Sequence, residues 1–469
     1  MINRRREDLV VKKLLKITLG WMLCLCSTVF AAPQDLVVER AWVEDPTGHM
    51  TLEKVRQAPQ QTLTSAHFNQ GYNASVFWIR FRIDPTRIAP EDVSERLIMR
   101  ISPPYLDELQ LYDPLDQRLQ PQLSGDLHPP RASEYTSLNL NFSLPAGSVP
   151  RDVWVRLKAS STTFAQFQVV SEPLAKKLDW QQAGLSMLVI AALLVCLGWG
   201  LLTWFLLRDR LVLYYILREV VVIFYAVAVM GFLQAFAPAW LTPAWIDRIG
   251  NILFCLITLA ALSFDIRLLG LYRAHPWLLN ALRVIAVVFA LTSLLAALDV
   301  TSLALRLNSQ ALVLTPLLLL LSTLSTRAWA DGDAEHPPEF PRWALVGLYL
   351  ALLSVLLLNR AVVLGWVPPI LEPMHAALLY LLMGSFMMMG LLQVRAFRLY
   401  RRQQEVHMRL RLAEQVAQEE RVRREEQERF LAMLGHELRN PLAAVGFLAD
   451  VKTEEGQQIR RAVNDMASV

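Results

Sequence analysis

Three regimes of hydrophobic and polar patterning succeed one another along the chain. Between about Pro33 and Asp179 apolar and polar residues alternate in short runs: Val76–Ile83, Arg96–Ile101, Glu108–Tyr112 and Val153–Lys158. A period of two is that of a strand with one buried face. Asp84-Pro85, Ser102-Pro103-Pro104, Asp113-Pro114 and Pro145-Ala146-Gly147 separate the runs, and proline both presets a turn and lacks the amide that a ladder needs. Short strands so spaced predict an all-β sandwich over 33–180.

From Ala183 to Val394 polar residues become rare. Seven apolar runs, at 183–207, 211–233, 246–264, 278–298, 303–325, 343–366 and 374–394, are each near the length that crosses a bilayer. They predict a seven-helix transmembrane bundle over 183–394. Arg208 and Arg210, Arg267 and Arg273, Arg327 and Arg342, and Arg395, Arg398, Arg401 and Arg402 follow the first, third, fifth and seventh runs, whereas 234–242, 299–302 and 368–373 carry no basic residue. The positive-inside rule then places the sandwich outside and the C-terminus in the cytoplasm. Arg218, Glu219, Arg306 and Arg360 fall within the runs, where a charge near mid-bilayer costs about 3 kcal/mol or more. They are read as paired or snorkelling side chains that hold the bundle, with an ion or ligand path as the alternative. Gly198-Trp199-Gly200 lies within the first run, where small residues serve helix packing.

The third regime begins at about residue 395. Charges of both signs dominate from Arg398 to Arg429, with Leu399, Val406, Leu410, Ala413 and Ala417 as a weak apolar seam, and this predicts a coiled-coil linker over 395–429. Next, Leu431, Leu434, Leu438, Leu442 and Val445 gather on one helical stripe, with His436 roughly opposite Leu434 and facing solvent. A turn at Lys452–Gly456 and a second stripe of Ile459, Val463 and Met466 complete a helical hairpin over 430–469. Two such hairpins would bury their stripes as a four-helix bundle, so the chain is expected to be a homodimer.

Composition agrees with a membrane protein: 54% of the 469 residues are hydrophobic and 19% charged. The +4 formal charge gathers near membrane ends and gives no reason for a nucleic-acid partner. Residues 1–32 combine a basic start (Arg4, Arg5, Arg6, Lys12, Lys13, Lys16), an apolar run from Ile17 to Phe30, and small Val29 and Ala31, and are read as a signal peptide. Cys24, Cys26, Cys196 and Cys255 all sit in apolar segments and suggest neither a disulfide framework nor a zinc site.

The candidate chemistry lies in Phe430-Leu-Ala-Met-Leu-Gly-His-Glu-Leu-Arg-Asn-Pro-Leu442. An imidazole is nucleophilic when neutral, and a carboxylate one position away can take up its displaced proton. A zinc-protease reading fails, because His-Glu-x-x-His needs a second histidine where Asn440 stands. The segment resembles the H-box of sensor histidine kinases, with Gly435 where many members carry serine. The resemblance implies that His436 accepts the γ-phosphate of ATP, Glu437 acts as general base, Asn440 supports phosphatase action and Pro441 bends the helix. Phosphate then passes to an aspartate of a response regulator receiver domain. The family's ATP-binding domain, which brings ATP and Mg, has no counterpart among these motifs, so the chain is expected to hold only the phosphoacceptor half.

The sandwich segments Phe77–Phe81, Tyr105–Asp113, Gly125-Asp126 and Val155–Leu157 resemble the extracellular jelly-roll domain of bacterial seven-transmembrane receptors with diverse intracellular signalling modules. That resemblance implies a β-sandwich sensor of a carbohydrate-like or other periplasmic ligand, in the bacterial inner membrane. Trp42, Tyr72, Trp78, Tyr105, Tyr135 and Trp154 offer rings that could stack on a sugar, but alternating aromatics in a sandwich are more often core. Two other readings remain at this point. One is a non-catalytic receptor that regulates a partner kinase by mixed dimerisation. The other is a transporter or channel, which leaves the H-box unexplained.

Overall fold

The computed structural model describes residues 35–71, 73, 75–116, 120–128, 135–159, 163–238, 240–326, 342–363, 373–448 and 453–468. The signal-peptide segment 1–32, Tyr72, Arg327 and most of the loop at 368–373 lie outside them. The chain divides into two compact units, Met1–Ala396 and Phe397–Val469.

Among the described residues of the first unit, ten strands form two antiparallel sheets: β1 Val37–Asp45, β2 Gln61–Thr62, β3 His67–Asn69, β4 Val76–Ile83, β5 Arg96–Ser102, β6 Glu108–Tyr112, β7 Gln122–Ser124, β8 Leu140–Pro145, β9 Arg151–Lys158 and β10 Phe164–Ser171. Their orders are β2-β1-β4-β9-β6-β7 and β3-β10-β5-β8. The alternation decides what lies between the sheets. Phe77, Ile79, Phe81 and Ile83 of β4 meet Val153, Val155 and Leu157 of β9, and Leu97, Met99, Ile101, Phe167 and Val169 of the facing sheet, in one core. The intervening Arg80 and Arg82 reach Glu39 and Asp152 on the neighbouring strands. On the outer face of the larger sheet, Trp78 and Trp154 are buried with Val43 and Val76 beneath Val55 of the short helix α1, Leu52–Gln57. These two rings are therefore core, and Trp42 packs edge-on against Phe68 and Phe77.

Among the described residues, the Arg151–Asp113 ion pair is enclosed in the sandwich. Arg151 Nε and Nη2 donate to the two oxygens of Asp113, each at 3.0 Å, and Nη1 donates to the Ala146 carbonyl at 2.8 Å. The Asp113-Pro114 and Pro145-Ala146-Gly147 breaks read in the sequence are thus pinned to each other. Gly147 is needed there: it has φ +69°, and a Cβ would stand 2.9 Å from Arg151 Nη1.

β10 ends at Ser171 and the first membrane helix, α2 Glu172–Leu207, starts at the next residue. Its 36 residues extend about 54 Å, nearly twice the hydrocarbon thickness, and the N-terminal turns lie on the smaller sheet. Ala175 is buried with Ile98 and Val170. Arg100 Nε donates to Asp179 Oδ1 (2.9 Å) and its Nη2 to Gln182 Oε1 (3.0 Å), Tyr135 Oη donates to Asp179 Oδ2 (2.7 Å), and Asn139 and Gln182 exchange amide hydrogen bonds. Burial, with Asp179 as acceptor, pushes the Tyr135 phenol well above its ordinary range. Tyr135, a candidate sugar platform in the sequence, is thus part of this clamp. Arg100→Ala leaves the Asp179 carboxylate short of a cation, and the full chain in detergent is expected to lose about 1–3 kcal/mol. Arg100→Lys, which has no planar fork, should recover part of it. Unfolding midpoints for both variants that equal the wild type would show that the clamp does not hold.

The remaining helices are α3 Arg210–Val229, α4 Phe232–Ala235, α5 Pro243–Leu271, α6 Pro276–Ala297, α7 Thr301–Leu324, α8 Arg342–Val363, α9 Pro373–Leu448 and α10 Glu454–Ser468. Among the described residues, six helices are long and apolar enough to cross a membrane, and Arg342–Leu358 is a shorter apolar helix. Leu188, Leu194, Leu202, Phe205 and Leu206 of α2 are exposed, as lipid-facing side chains are. Gly200 lies against α3, where a Cβ would meet the Tyr215 ring at 3.0 Å, so this glycine serves close helix packing. Helix ends alternate between two faces. Asp209, after α2, pairs with Arg395 at 2.9 Å, and the amide of His275, just before α6, donates to the hydroxyl of Ser325, just after α7, at 3.1 Å. On the sandwich side, Arg248 pairs with Asp299 at 2.7 Å.

Candidate functional site

Among the described residues, two places hold candidate chemistry. The first is the C-terminal unit. His436, Glu437, Asn440 and Pro441 all lie on α9 and are exposed. Pro441 sits inside the helix, which continues to Leu448. A proline there gives the Glu437 carbonyl no amide partner, so the turn holding the His-Glu pair has an open acceptor beside it. Gly435 has open space around it, which leaves the ring next to it accessible. The stripe opposite is exposed as well: Leu431, Leu434, Leu438 and Val445 are between 37% and 66% accessible. So are the seam residues Val406 and Leu410, whereas Val463 of α10 is buried. The polar faces carry i,i+4 pairs such as Glu420–Arg424 and Glu425–Arg429, both at 3.9 Å and open to solvent, which add little stability.

The second place is a cavity of about 400 Å3 that runs from the junction of sandwich and helices into the bundle. Its outer end is formed by Tyr105 and Asp126 of the sandwich and by Asp247 and Asn251 of α5, its walls by apolar side chains such as Phe254, Phe289 and Leu352, and its inner end by Arg218, Asp265, Arg360 and Tyr380. Such a combination of apolar walls with a few converging polar groups is that of a small-molecule site.

The charged residues read in the sequence separate here. Arg218 and Glu219 are both buried and form an ion pair at 2.5 Å, and Gly384 makes room for the guanidinium, since a Cβ would stand 2.9 Å from Arg218 Nη2. Arg360 lines the same cavity, whereas Arg306 is exposed on α7. Two buried polar sets were not singled out in the sequence. Asp265 accepts from Tyr349 Oη at 2.9 Å, and Asn308 Oδ1 accepts from Thr258 and Thr292 at 3.0 and 3.2 Å. Asp265 falls one position beyond the apolar run cut at 264, so a window applied to hydropathy alone passes it over.

At the outer end, Asp107, Asp126 and Asp247 each offer an oxygen, and the three atoms lie within 4.8 Å of one another. The local backbone brings them together. Gly125 has φ +135° and leaves only 2.2 Å between a hypothetical Cβ and the Asp107 carbonyl, so the loop can close here only with glycine. Asp126 N then donates to the Leu106 carbonyl at 2.9 Å, and Gln234 Nε2 of the helical side reaches the Gly125 carbonyl at 3.4 Å. Burial, reinforced by the Asp247 and Asp107 carboxylates, pushes Asp126 up to about 9. The Gly125-Asp126 pair was legible as a motif, but its partner Asp247, more than a hundred positions away, was not.

Two family models match the chain. One, described as 7TMR-DISM extracellular 2, covers residues 39–171, and the other, described as 7TM diverse intracellular signalling, covers residues 182–395. No curated protein matches the chain.

Proposed function

Because the chain belongs to the 7TMR-DISM family, the seven-transmembrane receptors with diverse intracellular signalling modules, we propose that it is the sensor of a two-component system. Its N-terminal sandwich is extracellular, and its apolar helices make it a multi-pass membrane protein. In this reading the helices form seven spans of a bacterial inner membrane, the sandwich lies in the periplasm, and α9 carries the signal into the cytoplasm. A ring nitrogen of His436 attacks the γ-phosphorus of ATP, the bond to the β,γ-bridging oxygen breaks and ADP leaves, Glu437 takes up the displaced ring proton, and the phosphoryl group then passes from His436 to a carboxylate oxygen of an aspartate in a receiver domain. Asn440 supports the reverse, phosphatase reaction, and Pro441 permits the bend that the reaction geometry requires. In this reading ATP and Mg2+ are brought to His436 by an ATP-binding domain.

The observation that carries this reading is the pairing on one helix of an accessible His436-Glu437 with an equally accessible leucine stripe on the opposite face. A bare stripe of this kind in water calls for a partner, and a second copy of the hairpin would cover it as a four-helix bundle while leaving His436 outside. The test is peptide mapping, at neutral to alkaline pH, of the protein isolated from membranes of its native host. Acid-labile phosphate on the peptide containing His436 supports the proposal. Phosphate confined to other residues, or none under any growth condition that changes expression of downstream genes, sinks it.

A further inference from the structure

We propose that Asp107, Asp126 and Asp247 form a divalent-cation site, of calcium type, that fastens the extracellular sandwich to the membrane helix α5. Two observations converge on it. The first is geometric: three carboxylate oxygens lie within 4.8 Å of one another, and oxygens on opposite sides of a calcium ion, each about 2.3–2.6 Å from it, stand about 4.6–5.2 Å apart. The second is an orphaned acceptor. Asp126 is 4% exposed; its side chain shares a hydrogen bond with Asp247, while its Oδ1 is buried with no donor among the described residues and the residue lines the cavity.

The donor set selects the metal class. All three side chains are hard oxygen donors, with neither sulfur nor imidazole in the cluster, which suits calcium or magnesium and disfavours zinc or copper. Calcium accepts irregular geometry and six to eight ligands, and the adjoining cavity has room for the waters that complete the shell. Three carboxylates gathered in a half-dry junction repel one another, and a divalent cation offsets that repulsion. Asp107 and Asp126 belong to the sandwich and Asp247 to α5, so the ion bridges two layers that otherwise meet here through Gln234 and the Gly125 carbonyl. This bridge is independent of the phosphoryl chemistry proposed for His436.

The test uses the full chain in lipid nanodiscs, stripped with EGTA. Terbium luminescence sensitised by nearby aromatics, of which Tyr105 lines the same cavity, should appear on adding Tb3+ and be displaced by Ca2+. The unfolding midpoint should rise with Ca2+ and saturate in the range of about 0.1–1 mM typical of extracellular calcium modules. Asp126→Asn and Asp247→Asn should each weaken Ca2+ displacement about ten-fold or more, because affinity follows ligand charge, while Glu53→Gln, on the far helix α1, should leave it unchanged. Asp247→Asn serves if Asp126→Asn does not fold. Absence of a saturable Ca2+ effect on the wild type overturns the proposal, as does an effect that both asparagine variants retain in full. The first of these results would identify a cluster neutralised by shared protons alone.

Discussion

Substitution of His436 by glutamine is expected to abolish phosphate incorporation into the chain and the downstream response, without altering membrane insertion or stability. The residue is exposed on α9, so a surface substitution here should stay within about 0.5 kcal/mol of the wild type in stability. Glutamine keeps polarity and approximate length but has no nucleophilic nitrogen. Glu437→Gln should leave a slow residual reaction, because losing a positioned general base costs about 10²- to 10⁴-fold, whereas Asn440→Ala should change mainly the lifetime of the phosphorylated form. The three variants therefore separate acceptor, base and phosphatase support by the time course of labelling. Full labelling of the His436→Gln protein would end the assignment.

The second large effect concerns stability. Asp113→Ala leaves the Arg151 guanidinium enclosed, with carbonyl acceptors but no counter-charge; the two side chains are 0% and 7% accessible. Removing one partner of a buried pair costs about 3–5 kcal/mol, a large share of the 5–15 kcal/mol that holds an ordinary domain together. At this domain size the midpoint should fall by about 10–20 °C. The double variant Asp113→Leu/Arg151→Met removes both charges and should recover most of that loss, because a well-packed apolar pair can replace an ion pair at little cost. A single variant within about 1 kcal/mol of the wild type would mean that water reaches the guanidinium.

Where the sequence was informative, a short-range physical rule set the answer. β4 and β6 occupy Val76–Ile83 and Glu108–Tyr112, the runs marked by alternation, because one buried face imposes a period of two. Helices likewise occupy the described parts of the apolar stretches, six of them long and apolar enough to cross a membrane. Strands β2, β3 and β7, only two or three residues long, carry too little pattern to be seen. Their pairing depends on the neighbours β1, β10 and β6. The candidate sites divide in the same way. His436 and Glu437 lie within one helical turn of each other and their motif is contiguous. The junction acids come from a loop, a turn and a membrane helix, and nothing local connects Asp107 to Asp247. The enclosed pairs Arg151–Asp113 and Asp265–Tyr349 escaped for the same reason, since each joins residues far apart in the chain.

The direct passage from β10 into α2, with no residue between Ser171 and Glu172, has a mechanical meaning. A flexible tether would let the sandwich tumble and would pass on only tension. Here a sheet and a helix share one continuous backbone, and the Arg100–Asp179 pair at 2.7 Å braces the joint from the side. The sandwich is in effect a crank handle on the first span, and tilting or turning it must tilt or turn that helix in the bilayer. Inserting glycines between Ser171 and Glu172 would disengage the handle while leaving both parts intact.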